Sequence, residues 1–155
     1  MLESDSSRRM KPRVSVVIPV RNGMPYLEET LLSARRQTRR ADEVIVVDNC
    51  STDGTGEFLL TQKDIRLITQ PRGVTAPANW TAAVQAATGD FVKVLCADDV
   101  LLPNCLERQL DALLRHGDCV MASARRQVIG PDSTMESVMT DYKVSSVERT
   151  RFFVG

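Results

Sequence analysis

The sequence predicts an α/β fold, a mostly parallel sheet with helices on both faces. Three observations carry that prediction. Short β-branched or apolar runs recur at residues 14–18 (VSVVI), 44–47 (VIVV), 65–68 and 91–95. Segments with helical spacing fall between them. The chain has 155 residues, 43% hydrophobic and 26% charged, enough for one domain with a real core.

Each element has its own signal. Residues 14–18 read as a buried strand bounded by Pro19 and the turn pair Asn22-Gly23. In the following helix Leu27, Leu31 and Ala34 share a face, with Pro25 near its start. Glu28 and Glu29 come early in that helix and Arg35 and Arg36 late, which suits its dipole. A second strand spans 44–47, and residues 48–56 form a polar turn in which Asp53 is expected to cap the helix around 58–60. Residues 65–68 are a weaker third strand. Residues 79–87 read as a helix with Trp80, Ala83, Val84 and Ala87 on its core face, stopped by Gly89. A fourth strand spans 91–95. Pro103 opens a helix with Leu106, Leu110 and Leu113 inward, ended by Gly117, and residues 119–122 are expected to form a fifth strand. A hairpin is expected around 126–132.

Composition narrows the function. Twenty Lys and Arg balance twenty Asp and Glu, so no general basic field exists to grip nucleic acid, and no nucleic-acid partner is expected. No apolar run approaches the roughly 18–20 residues needed to span a bilayer. Residues 1–12 are polar, lack a secretory h-region and are expected to be a disordered tail. Cys50, Cys96, Cys105 and Cys119 form no CxxC pair, and with His116 alone they point to reduced thiols rather than disulfides or zinc. A cytoplasmic location is expected.

In open parallel sheets ligands bind beyond the carboxyl ends of the strands. Function is therefore expected at residues 19–22, 48–53 and 96–99. These segments hold Asp48, Asp53, Asp98 and Asp99. Adjacent carboxylates repel one another unless a cation or hydrogen-bond donors intervene, and hard divalent cations share oxygen ligands with phosphates. The cluster suits a nucleoside diphosphate held through Mg²⁺ or Mn²⁺. No GxxxxGK[ST], no GxGxxG after the first strand and no GxSxG elbow is present. A phosphoacceptor role for Asp48 is supported by its strand-end position alone. Arg35-Arg36 and Arg39-Arg40 read as a solvated helix end, and His116 as a helix-end dipole contact.

Three motifs follow one another along the chain. The first is residues 16–22 (VVIPVRN), the second residues 46–55 (VVDNCSTDGT). The third runs from Gly73 through Asn79 and residues 87–92 (ATGDFV) to Ala97-Asp98-Asp99. Together, in this order, they resemble the family 2 glycosyltransferases. The resemblance covers roughly residues 13–125. It implies a GT-A, Rossmann-like fold and inverting transfer of a sugar from a nucleotide-sugar donor. It also implies a donor-binding domain over 13–125 and an incomplete acceptor region, with the hairpin, over 126–155. Carried over, Pro19, Arg21 and Asn22 lie along the nucleotide and Asp48 accepts from the base. Asp98 contacts ribose or metal, and Asp99 ligates the cation that bridges the diphosphate.

The chain departs from the family pattern in three places. Cys96 stands where many members have an acid, and a thiol is a poor Mg²⁺ ligand, so binding rests on Asp98 and Asp99. Ala78 stands where members often carry an Arg, with Arg72 as a candidate substitute. Inverting transfer needs a general base, and Asp132, Glu136, Asp141 and Glu148 match no family motif, so no base is named. The resemblance leaves the acceptor open among saccharide, lipid and protein hydroxyls. Two alternatives stay open: a donor-binding module without turnover, and an interaction or scaffold remnant whose sheet edge pairs with a second copy or a partner chain.

Overall fold

Stiff β-branched side chains pack well on a pleated surface, and the four predicted runs become strands. A computed structural model describes residues 11–124, 127–129 and 135–138. In order, these form β1 (Val14–Val20), α1 (Leu27–Arg35), β2 (Glu43–Asp48), α2 (Thr55–Leu60), β3 (Arg66–Thr69), α3 (Ala76–Gln85), β4 (Phe91–Val94), α4 (Cys105–Arg115), β5 (Gln127–Ile129) and β6 (Met135–Val138). The chain divides into two compact units, the first ending at Leu106 and the second beginning at Glu107.

The first unit is a parallel sheet in the order β3-β2-β1-β4. The chain winds outward from β1 through β2 to β3, and α3 then carries it back to place β4 on the far side of β1. That reversal makes a switch point at the carboxyl edge between β1 and β4. Every residue of β1 is buried, so both faces of the sheet are covered. On one face Val17, Ile45 and Val47 pack with Ala83 of α3. Val16, Ile18 and Val46 alternate onto the other face and are equally inaccessible. Burying each such side chain contributes about 1.5–3 kcal/mol.

The amino edge of the sheet is tied by polar groups. Glu43 accepts hydrogen bonds from Ser15 Oγ (2.6 Å), Thr88 N (2.7 Å) and Thr88 Oγ1 (2.8 Å). Asp42 accepts from Val14 N (2.8 Å) and from Arg39 (2.7 Å). Gly89 is required by close approach: a Cβ there would stand 2.7 Å from Ser15 Oγ and 2.9 Å from Ser15 N. Arg35 forms a two-pronged pair with Asp64 at 2.6 and 2.7 Å. The side chains of Arg35 and Arg39 are thus engaged by Asp64 and Asp42, not simply solvated as the sequence suggests.

These ties predict the acid limb of stability. Burial pushes the Glu43 pKa up, but the Ser15 and Thr88 hydrogen bonds outweigh it and hold the group below its ordinary 4.5. The Val14 N–H, with Arg39, holds Asp42 below 3.8. Both are depressed carboxylates, so their stabilisation is present above the unfolded value and disappears as pH falls through the folded one. The urea midpoint should hold between pH 7 and about 5 and fall below about 4.5. Glu43→Gln should shrink the difference between midpoints at pH 6 and pH 3; an unchanged difference would remove Glu43 from the acid limb.

In the second unit β5 and β6 pair antiparallel with a register shift at Val128/Ile129; residues 125–126 and 130–134, on which the expected hairpin also rests, lie outside the described residues. The expected fifth strand is corrected: residues 119–122 form none, and Val120 is 79% exposed. A short apolar run becomes a strand only where a ladder takes its backbone groups, and the second unit's ladder joins β5 to β6 without it. Residues 1–10 of the tail expected over 1–12, and Asp132, Asp141 and Glu148, lie outside the described residues, as does the side chain of Glu136. No helix among the described residues is long and apolar enough to cross a membrane.

Candidate functional site

The carboxyl ends of β1 and β2 continue into two loops that fasten to each other. Asn22 and Cys50 both adopt φ near 55°, a left-handed geometry that Asn tolerates better than most residues. Asn22 N donates to Ser51 Oγ at 2.8 Å, and Asn22 Oδ1 accepts from Thr52 N at 2.8 Å. Asp48 is buried at 4% exposure, and its Oδ1 accepts from both the hydroxyl and the N–H of Ser51. The chain turns at Gly54 (φ 91°), which takes the N-cap position of α2 expected for Asp53. Asp53 instead bridges the loops, accepting from Met24 N (3.0 Å) and Thr55 N (3.1 Å). Hydrogen bonds led by Thr55, and joined by Met24 N, hold its carboxyl below the ordinary range.

A groove of about 170 Å³ opens at this edge, lined in part by Pro19, Arg21, Asn49, Val74, Asn79 and Trp80. Of the residues expected along a nucleotide, Pro19 and Arg21 line it. Asn22 and Asp48 do not; they hold the adjoining loop in shape. Three residues of the groove, Asn49, Asn79 and Trp80, carried no expected site role, although Asn49 and Asn79 fall within the second and third motifs. Asn49 is buried and makes a reciprocal pair with Val74, receiving its N–H and donating to its carbonyl, each at 2.8 Å. Asn79 Nδ2 donates to the carbonyls of Val47 (3.1 Å) and Val20 (3.4 Å), tying the last turns of β1 and β2 together. Trp80, expected in the core, is half-buried on the groove wall. Its helix begins at Ala76, three residues earlier than the sequence suggests, with Pro in the first turn.

Beyond β4, Cys96, Asp98 and Asp99 present ligand atoms all within 4.8 Å of one another, both carboxylates exposed. A tight turn shapes them, with Asp99 N donating to Cys96 O at 3.1 Å. Two carboxylates this close suit a hard divalent cation, while the sulfur of Cys96 is a soft donor of little use to it. The residues present therefore fit Mg²⁺ or Mn²⁺ held by Asp98 and Asp99.

Comparison with known proteins places the sequence and the fold in a family. The sequence model described as "Glycosyl transferase family 2" matches residues 15–152. TuaG of Bacillus subtilis strain 168, named for teichuronic acid biosynthesis, is 30% identical over 128 residues, 80% of this chain and 50% of TuaG. An uncharacterized glycosyltransferase of Haemophilus influenzae is 30% identical over 68% of this chain and 44% of its own. The chain thus spans half or less of these relatives. Among solved structures, S. aureus TarS 1–349 in complex with UDP superposes with a TM-score of 0.62 at 26% identity, over 68% of this chain and 33% of TarS. Mannosyltransferase PcManGT from Pyrobaculum calidifontis, in complex with GDP-Man and Mn²⁺, gives 0.51 at 32% identity, over 59% of this chain and 29% of its own. The parallel sheet is that of the GT-A glycosyltransferases, and the chain belongs to glycosyl transferase family 2.

Proposed function

We propose that this chain binds a nucleoside-diphosphate sugar and serves its transfer, with inversion at the anomeric carbon, to an acceptor hydroxyl of a saccharide, lipid or protein. The observation that carries this reading is the convergence at one sheet edge of the groove containing Pro19 and Arg21 and the acidic turn containing Asp98 and Asp99. Arg21 supplies a cation beside the groove for a diphosphate. Asn22 and Asp48 support the reading by fixing the loops around it. Asp98 and Asp99 would hold a divalent cation, which would supply neutralisation of the charge that develops on the leaving diphosphate. The relatives' complexes with UDP and with GDP-Man and Mn²⁺ support the same class of donor.

The test is calorimetric titration of the purified chain with UDP, GDP and dTDP, with and without Mn²⁺. Binding of one nucleotide that strengthens with Mn²⁺ is the expected result. A folded sample that binds none of them would leave the motifs as architecture and favour an interaction role. A second reading is donor binding without turnover. Incubation with the matching nucleotide sugar and a panel of acceptor hydroxyls separates the two.

A further inference from the structure

Helix α1 projects polar side chains that are buried, which is unusual for groups that lose hydration unless they are bonded. Thr30 is fully inaccessible, Ser33 is 7% exposed, and Gln37, just past the helix end, is 4% exposed. All three reach the same segment, residues 97–106. Thr30 Oγ1 donates to the Ala97 carbonyl at 2.9 Å. Ser33 Oγ accepts from Leu101 N at 3.0 Å and donates to the Thr30 carbonyl at 2.7 Å. Gln37 Oε1 accepts from Leu106 N at 3.0 Å, while its Nε2 donates to the Leu102 carbonyl at 2.8 Å and the Ser33 carbonyl at 3.1 Å. Thr38 N adds a bond to the Pro103 carbonyl at 2.7 Å.

The segment so clamped carries Asp98 and Asp99 immediately after Ala97. Both acids are exposed, so their own side chains do little to hold the turn. It is short of regular structure from Cys96 to Asn104, and a loop without a ladder takes its position from whatever accepts and donates along its backbone. We infer that Thr30, with Ser33 and Gln37 behind it, is a positioning residue for cation-dependent donor binding: α1 sets where Asp98 and Asp99 stand. This inference rests on the proposed role of the acidic turn. Thr30 touches neither donor nor cation; it acts through the Ala97 carbonyl. Spacing also explains the arrangement, because residues three and four apart on a helix share a face.

The test compares Thr30→Val, which keeps the shape and removes the donor, with Thr30→Ser, which keeps the hydroxyl. The whole chain is titrated with Mn²⁺ at a fixed concentration of the nucleotide that the unaltered chain binds, well below each variant's melting temperature. Amide exchange at Asp98 and Asp99 is followed without metal. Thr30→Val should weaken the apparent Mn²⁺ affinity about five- to tenfold, the scale of one buried hydrogen bond. It should also speed exchange at the two amides and leave metal-free nucleotide binding unchanged. Thr30→Ser should restore both readouts. Unchanged Mn²⁺ affinity and unchanged exchange in Thr30→Val would overturn the inference while the acidic turn's role stood. A shared fall in melting temperature with no change in either readout would show a merely structural hydroxyl and overturn it equally. If the unaltered chain showed no Mn²⁺-dependent binding, the role of the acidic turn would fall first, and the inference with it.

Discussion

Asp99→Ala should abolish metal-dependent nucleotide binding, a loss of about a hundredfold or more in the affinity measured with Mn²⁺ present. A carboxylate that ligates a hard cation supplies both charge and a coordination position, whereas outer partners of metal ligands alone are worth about 10–100-fold. No other close cluster of potential ligands is found among the described residues, and the thiol of Cys96 cannot replace a hard oxygen. The side chain is exposed, so the substitution should leave the melting temperature within about a degree of the unaltered chain, as surface changes usually do. That separation gives the experiment its force, because a fall in affinity cannot then be assigned to unfolding. Asp98→Ala should give a loss of the same sign. Calorimetry with and without Mn²⁺ checks both, and unchanged metal-dependent binding in Asp99→Ala would remove that residue from the site.

How much of this was legible differs by element. The strands could be read because β1 and the inner part of β2 are buried on both faces, and a strand covered on both sides shows an unbroken apolar run. The site's edge followed from the same pattern, since the rule that ligands gather beyond strand ends needs only the strands. The stretch at 119–122 misled because apolarity alone does not supply a pairing partner. Asp53 fitted a cap by residue type, yet Gly54 turns the chain first. The buried amides and hydroxyls were the least legible. Asn49, Asn79, Thr30, Ser33 and Gln37 look like surface residues in a one-dimensional pattern. Their burial is explained only by distant backbone groups that they satisfy, at separations of 20 to 70 residues: Asn49 to Val74 is 25 apart and Gln37 to Leu106 is 69. Trp80 erred in the opposite direction, being apolar enough for the core yet placed on the groove wall.

Asn79→Leu is expected to destabilise the fold by about 1–3 kcal/mol, the range for removing one side of a buried hydrogen-bonded group. Leucine keeps much of the volume, so the effect isolates the amide. Val20 O would retain the Asn49 N–H at 2.9 Å. The carbonyl of Val47 and the amide of Gln70, which donates to Asn79 Oδ1 at 3.2 Å, would each lose a partner. Asn79→Asp should be worse still, because a carboxylate in place of the amide nitrogen would face two carbonyl oxygens from a site 3% exposed. Since these carbonyls lie directly before Arg21 and Asp48, at the carboxyl ends of β1 and β2, a slackened tie should reach the groove as well. Binding measured far below the melting temperature should weaken less than stability does, as expected of a residue that holds strands together. Urea unfolding followed by fluorescence of Trp80 on the same helix, the chain's single tryptophan, gives the stability. Should Asn79→Leu unfold within 0.5 kcal/mol of the unaltered chain, a threshold typical of neutral surface changes, and still lose nucleotide, Asn79 would be a donor contact and the strand-tying role would be wrong.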